Sequence, residues 1–150
     1  CRVMVQGEAP KGALLAAFRA AGDAVLVATL GFWQGVDVPG QALRLVVLEK
    51  TPFPVPTDPV VRARAEAVEA DGGSAFLDHH VPAAAITLKQ GFGRLIRTRD
   101  DRGIVALLDG RVHERGYGER LLGALPPARR ARTLAEVAEF WRTVGKLASS

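Results

Sequence analysis

Gln90, Arg94 and Arg97 stand four and three residues apart in Gln90-Gly91-Phe92-Gly93-Arg94-Leu95-Ile96-Arg97. On an α-helix those spacings put one amide and two guanidinium groups on a shared face. Leu88, Phe92 and Leu95, with Ala85 one turn earlier, fall on the opposite face. The segment therefore reads as a helix anchored by an apolar strip and presenting an anion clamp, for which phosphate is the natural ligand. A glycine inside a helix costs about 1 kcal/mol relative to alanine, so Gly91 and Gly93 beside the polar face predict close approach of another backbone or a ligand. Taken without context, Arg94 and Arg97 fit a solvated basic face equally well.

Other chemistry is excluded by what is missing. The Gly145-Lys146 pair is followed by Leu147 and preceded by no glycine-rich loop, so the chain has no phosphate-binding P-loop of its own. No acidic quartet of the D-E-A-H type is present to hold magnesium. Gly31-Phe32-Trp33-Gln34-Gly35 has the outline of a nucleophile elbow, but Trp33 occupies the nucleophile position. His79 and His80 are adjacent, and neighbouring side chains diverge on a regular element, which argues against a shared metal. Asp100 and Asp101 read as turn formers, and Asp109 with Arg111 as a structural ion pair. The single cysteine, Cys1, rules out an internal disulfide or a thiolate metal site within this chain.

The elements that must hold the clamp follow from the apolar pattern. Residues Cys1 to Val5 and Ala24 to Thr29 read as buried strands, and Lys11 to Ala21, with Leu14, Leu15 and Phe18 on one side, as an amphipathic helix. Leu43 to Leu48 and Ile104 to Leu108 are further continuous apolar runs, of the kind found in parallel sheets covered on both faces. Four prolines between Pro52 and Pro59 force an extended surface connector. Val60 to Ala70 is helical and ends at Asp71-Gly72-Gly73-Ser74, and Pro82 opens the clamp helix as its first residue. Residues 112 to 125 and 133 to 147 read as closing helices around Pro126-Pro127. Strands alternating with helices predict an α/β layer fold.

A length of 150 residues with 48% hydrophobic content is one domain's worth of core. The chain starts at Cys1 and runs at once into Val3-Met4-Val5, which predicts a fragment of a longer polypeptide. No apolar run reaches the roughly 18 residues needed to span a bilayer, and no signal peptide is evident, so the expected compartment is the cytoplasm without a membrane partner. The net charge of +4 is uneven. Residues 1–75 carry 7 basic and 8 acidic side chains, residues 76–150 carry 13 and 8, and 16 of the 20 basic residues are arginine. Guanidinium suits bidentate phosphate contact, although a GC-rich genome explains the arginine richness equally well.

The clamp, together with Val25-Leu-Val-Ala-Thr-Leu-Gly-Phe-Trp-Gln-Gly-Val-Asp-Val-Pro-Gly40, Lys50-Thr-Pro-Phe-Pro-Val-Pro-Thr-Asp-Pro59 and Tyr117-Gly-Glu-Arg-Leu-Leu-Gly-Ala-Leu-Pro126, resembles the second motor domain of superfamily 2 helicases, most nearly the XPD/DinG branch of DNA helicases. The four matches occur in order and cover most of the chain. The resemblance implies a three-layer α/β/α RecA-like domain with a mainly parallel sheet, spanning residues 1–150 as one C-terminal motor domain. It implies ATP and Mg2+ held mainly by a first motor domain outside this chain, single-stranded DNA as the track, 5′ to 3′ movement, and work in DNA repair. It makes Arg97 the arginine finger, Arg94 its partner on the γ-phosphate and Gln90 the link between nucleotide state and domain closure. Gly35 and Asp37 would line the nucleotide, with a turn role the alternative for Asp37, and Thr29 would touch the DNA backbone. Phe32 and Trp33 would either stack on bases or pack the interface between motor domains.

Many members of that branch carry an iron–sulfur cluster on four cysteines of the first motor domain, which would lie outside this chain. Without a P-loop the isolated chain is expected to bind ATP poorly and hydrolyse none. Two rival readings remain: a non-enzymatic module that binds nucleic acid or protein through its basic half, and a piece of a DinG-like protein fused to an exonuclease.

Overall fold

The computed structural model describes residues 1–33, 38, 42–96 and 101–147, with Trp33 and residues 144–147 described by backbone alone. Gly35, Asp37, Arg97 and Asp100 lie outside the described residues. Two parallel strand pairs organise the chain. β1 (Arg2–Val5) pairs with β2 (Ala24–Val27) in the register Met4 to Leu26, and the crossover between them is α1 (Lys11–Ala21). β3 (Leu45–Leu48) pairs with β4 (Ile104–Leu107) in the register Leu48 to Leu107. The second crossover contains α3 (Pro59–Ala70), a π-helical segment (Ala75–His80) and α4 (Val81–Leu95). A short α2 (Leu30–Trp33) follows β2, and α5 (Arg111–Glu114), α6 (Tyr117–Gly123) and α7 (Leu134–Leu147) close the chain. Parallel strands joined by helical crossovers make an α/β fold of the RecA-like kind. No described helix is long and apolar enough to cross a membrane.

Each strand pair has its own core. Met4, Leu14, Leu15, Phe32 and Val38 bury together beneath β1 and β2. Val81, Ala84, Ala85 and Leu88 of α4 pack with Val112 and Leu121, flanked by Leu48, Phe53, Leu107 and Tyr117. The expectation of strands buried on both faces is corrected here. Side chains alternate across a strand, and Val3, Val5, Val25, Val27, Leu45 and Val47 point to faces that no described element covers. Cys1, expected as a buried strand residue, is exposed ahead of β1.

The connector after β3 is also more than a surface strap. Thr51 is buried, and Phe53 turns inward to meet Phe76 and Tyr117 at ring-centroid distances of 5.3 and 5.6 Å. Phe76 and Tyr117 are themselves 5.2 Å apart, so three aromatic rings bind the connector, the π-helical segment and α6. Asp58 then caps α3, accepting from the Val60 and Val61 amides at 2.8 and 3.1 Å with Pro59 in the first turn. Pro82 stands in the first turn of α4, one residue later than expected, and the chain enters that helix already helical through Ala75–His80. Likewise the expected helix over 112–125 is two helices, broken where Arg115 adopts extended backbone.

Candidate functional site

α4 positions the clamp. The π-helical segment before it is fixed by a reciprocal cap: Ser74 accepts from the Leu77 amide at 3.3 Å and Asp78 accepts from the Ser74 amide at 2.9 Å. Asp78 also reaches Arg120 of α6 at 3.6 Å. From there Val81, Ala84, Ala85, Leu88, Gly91 and Leu95 form the buried stripe of α4, while Phe92 is only half-buried. Gln90 is exposed and Arg94 half-buried on the other side, which is the division between anchor and polar face that the spacing predicts. The helix ends at Leu95, however, with Ile96 in extended backbone at φ −116° and ψ 108°. Helical spacing thus joins Gln90 to Arg94, and Arg97 is outside the described residues.

The two glycines of the clamp differ. Gly91 belongs to the buried stripe, whereas a Cβ on Gly93 would meet nothing within 4 Å among the described residues. At Gly93 no other described residue makes the close approach expected of a neighbouring backbone. A third glycine, unnoticed in the sequence, matters more. A Cβ on Gly103 would lie 2.6 to 2.7 Å from the Leu95 side chain, so the last turn of α4 rests on the entry to β4 only because residue 103 has no side chain.

A second cluster sits at the carboxyl ends of β1 and β2, where parallel α/β sheets present ligand groups. The Gln6 amide continues the ladder onto the Val27 carbonyl at 2.9 Å. The Gln6 side-chain carbonyl then accepts both the Thr29 amide at 2.9 Å and the Thr29 hydroxyl at 3.0 Å. Gly7, at φ 103°, turns the chain back, and Glu8 accepts from the Val5 amide at 2.9 Å. Phe32, offered by the sequence as a base-stacking or interface residue, is 7% exposed within the β1/β2 core, with the Lys11 ammonium 5.1 Å from its ring centroid. An enclosed ring of this kind is a packing element. Sequence reasoning singled out Thr29 and missed Gln6, whose only signal is a polar residue placed directly after an apolar strand.

The carboxyl ends of β3 and β4 carry a third cluster. Asp109, its side chain 4% exposed, accepts from the Thr51 amide at 3.0 Å and from Arg111 three times: the amide at 3.2 Å, Nε at 2.8 Å and Nη2 at 2.8 Å. Hydrogen bonds from Arg111 and Thr51 hold the Asp109 carboxyl well below the usual carboxylate range, against the opposing effect of burial. The Asp109–Arg111 ion pair was legible in the sequence, and its grip on Thr51 across 58 residues was not. Among the described residues no group of three or more His, Cys, Asp or Glu side chains is placed to hold a metal ion.

Parallel strands that gather polar residues at their carboxyl ends, beside a helix presenting Gln90 and Arg94, have the layout in which α/β folds place ligands at that edge of the sheet. The family model described as the helicase C-terminal domain matches residues 1–128. The chain belongs to this family, as a C-terminal domain of the DinG-like superfamily 2 helicases. It is 50% identical to the ATP-dependent DNA helicase YoaA of Escherichia coli (strain K12) over 138 residues, covering 92% of this chain and 22% of that protein. It is 43% identical to the ATP-dependent helicase DinG of Mycobacterium tuberculosis (strain ATCC 25618 / H37Rv) over 141 residues, 94% of this chain and 19% of the relative. It is also 38% identical to the 3′-5′ exonuclease DinG of Bacillus subtilis (strain 168) over 122 residues, 81% and 13%. The chain spans about a fifth or less of the length of these relatives.

Proposed function

We propose that this chain is the second motor domain of an ATP-dependent DNA helicase that works on single-stranded DNA in repair, within a longer cytoplasmic polypeptide. The observation that carries the reading is the divided helix α4 inside a helicase C-terminal domain: a buried stripe from Val81 to Leu95, and Gln90 with Arg94 turned away from it. ATP and Mg2+ would be held mainly by a first motor domain of the same polypeptide, with Gly35 and Asp37 lining the nucleotide from this side. Gln90 and Arg94 offer the donors that nucleotide phosphates accept.

In this reading Arg97, just past the end of α4, is the finger. Phosphoryl transfer spreads charge over the equatorial oxygens, and a guanidinium delivered across a domain cleft stabilises it. Gln90 and Arg94, on the rigid helix, sense closure of the cleft. The DNA track runs along the carboxyl ends of β1 and β2 at Thr29, with 5′ to 3′ movement. Phe32 supports this edge from the core, and Trp33 is the residue left to stack or to pack against the first motor domain. An iron–sulfur cluster, where the longer polypeptide has one, belongs to that first domain. The isolated chain lacks a P-loop and would hydrolyse no ATP.

The test is DNA-stimulated ATP hydrolysis by the full-length polypeptide beside its Arg97→Ala variant. Turnover is expected to fall by about 10³ or more, the range for arginine fingers, with ATP binding retained. Equal turnover in the two proteins would sink the finger assignment, and absence of DNA-stimulated hydrolysis in the unaltered protein would sink the motor reading. An exonuclease-fused architecture is the second reading, favoured by the name of the Bacillus subtilis relative.

A further inference from the structure

We infer that Gly103, whose missing side chain seats Leu95, is a positioning residue for the clamp: it sets where the last turn of α4 lies and so where Arg94 meets the nucleotide. The inference rests on the reading above that Gln90, Arg94 and Arg97 act on ATP phosphates.

The reason for a glycine here is space and not backbone shape. The left-handed φ values among the described glycines belong to Gly7, Gly22 and Gly72, so the backbone at 103 suits any L residue. A side chain there would instead meet Leu95. A Cβ on residue 103 falls 2.6 Å from Leu95 Cγ and 2.7 Å from both Cδ atoms, whereas ordinary van der Waals contact begins at 3.4 Å. Turning Leu95 about its Cβ–Cγ bond moves the two methyl groups and leaves Cγ in place, so that rotation does not relieve the overlap. The other χ1 well open to a helical leucine takes the side chain out of the site it fills.

Neither partner withdraws freely. Residue 103 is held by the sheet: Ile104 opens β4 opposite Leu45, and its amide donates to the Arg44 carbonyl at 2.9 Å. Leu95 is the far anchor of α4. The buried cluster that α4 shares with Val112 and Leu121 runs from Val81 to Leu88. The next buried position, Gly91, has no side chain, and Leu95, 5% exposed, follows one turn later. Ile96 then ends the helix, its amide donating to the Phe92 carbonyl at 2.9 Å. A core thus fixes the amino-terminal part of α4, and the seat on Gly103 fixes its carboxyl-terminal turn. A Cβ at 103 lifts that turn by roughly 0.8 Å, the gap between 2.6 and 3.4 Å. Arg94, bonded directly to Leu95, moves with it, while Gln90, more than a turn from the seat, moves less. Arg97 follows Leu95 by two residues in the chain.

DNA-stimulated ATP hydrolysis by the full-length polypeptide reads this placement, because misplacing a reacting group by about 1 Å costs up to roughly 10²-fold in rate. In Gly103→Ala, kcat is expected to fall by between about 10- and 100-fold, with the affinity for an oligothymidylate unchanged. Leu95→Ala removes all three atoms that the new Cβ meets and leaves α4 without its far anchor, so kcat falls there too. The two substitutions together put a methyl group into the space that Leu95 vacates, and kcat of the double variant should exceed that of Leu95→Ala alone. Read at a temperature where circular dichroism shows the compared variants folded, that recovery reports the position of the arginine and not the stability of the domain. It also decides the matter if Gly103→Ala by itself does not fold. Equal kcat in Gly103→Ala and the unaltered protein, or a double variant no faster than Leu95→Ala, would overturn the assignment to Gly103. An unaltered protein with no DNA-stimulated hydrolysis would instead overturn the motor reading on which the assignment stands.

Discussion

Asp109→Ala removes the acceptor on which the loop after β3 and the turn after β4 converge. The cost follows from the contacts. The Thr51 amide donates to Asp109 at 3.0 Å, and Thr51 is only 5% exposed, so without the carboxylate a buried donor is left unpaired at about 1–3 kcal/mol. The charge-assisted bonds from Arg111 at 2.8 Å are lost as well. Half of the Arg111 side chain is in solvent, 53%, so the freed guanidinium rehydrates and its share is small. The total is about 3 kcal/mol, which in a chain of this size lowers the melting temperature by roughly 6 to 12 °C.

The pH dependence supplies a second, independent check on Asp109. Its folded-state pKa lies well below the unfolded value near ~3.9, so the native state binds fewer protons than the unfolded chain and stability rises with pH. The contribution is complete above the unfolded pKa and is lost progressively as pH falls below it toward the folded one. Asp109→Asn keeps one carbonyl acceptor for Thr51 and cannot titrate. The gap in melting temperature between the unaltered chain and Asp109→Asn should therefore shrink as pH is lowered from about 5 to about 3. Calorimetry across that range measures both effects. A shift under about 2 °C for Asp109→Ala, or a gap to Asp109→Asn that stays constant with pH, would refute the argument that this carboxylate is buried, ionised and doing structural duty.

Two further expectations come from packing and capping. Gly118→Ala would drive its Cβ into the Val112 backbone carbonyl, which cannot yield as a flexible side chain does. A loss of about 2–3 kcal/mol or more in denaturant unfolding is expected, and a neutral result would mean that α5 and α6 do not pack as described. α7 opens with a reciprocal cap in which the Glu136 carboxylate accepts from the Arg132 and Thr133 amides at 2.6 and 3.2 Å and the Thr133 hydroxyl accepts from the Glu136 amide at 3.3 Å. Thr133→Ala should cost that helix about 1 kcal/mol, read as faster amide hydrogen exchange confined to 134–147 with little change in the core.

Much of this protein was written along the chain. α1 was legible to the residue, because Leu14, Leu15 and Phe18 fall on one side of a helix over Lys11 to Ala21. The two parallel pairs were foreshadowed by apolar runs, and the anchor of the clamp by Ala85, Leu88 and Leu95. The family came from ordered motifs, which need no coordinates. Local periodicity says which side of an element is apolar, however, and nothing about whether a second element covers it. That is why Val25 and Val27 read as buried and stand exposed.

The rest depended on atoms far apart in sequence. Gly103 meets Leu95 where the end of α4 rests on the entry to β4, while Asp109 meets Thr51 and Gln6 meets Thr29 23 residues away because parallel pairing sets the strands' carboxyl ends side by side. Where α4 stops was likewise a tertiary decision. Residues 90 to 97 have one continuous helical spacing, but Ile96 leaves it as the last turn settles against the glycine at the start of β4. The sequence by itself determined the family, the order of elements and the residue types of the clamp. Only the folded chain decided that Gln6 would meet the Thr29 amide and Asp109 the Thr51 amide, since such partners are fixed by strand register and not by spacing along the chain.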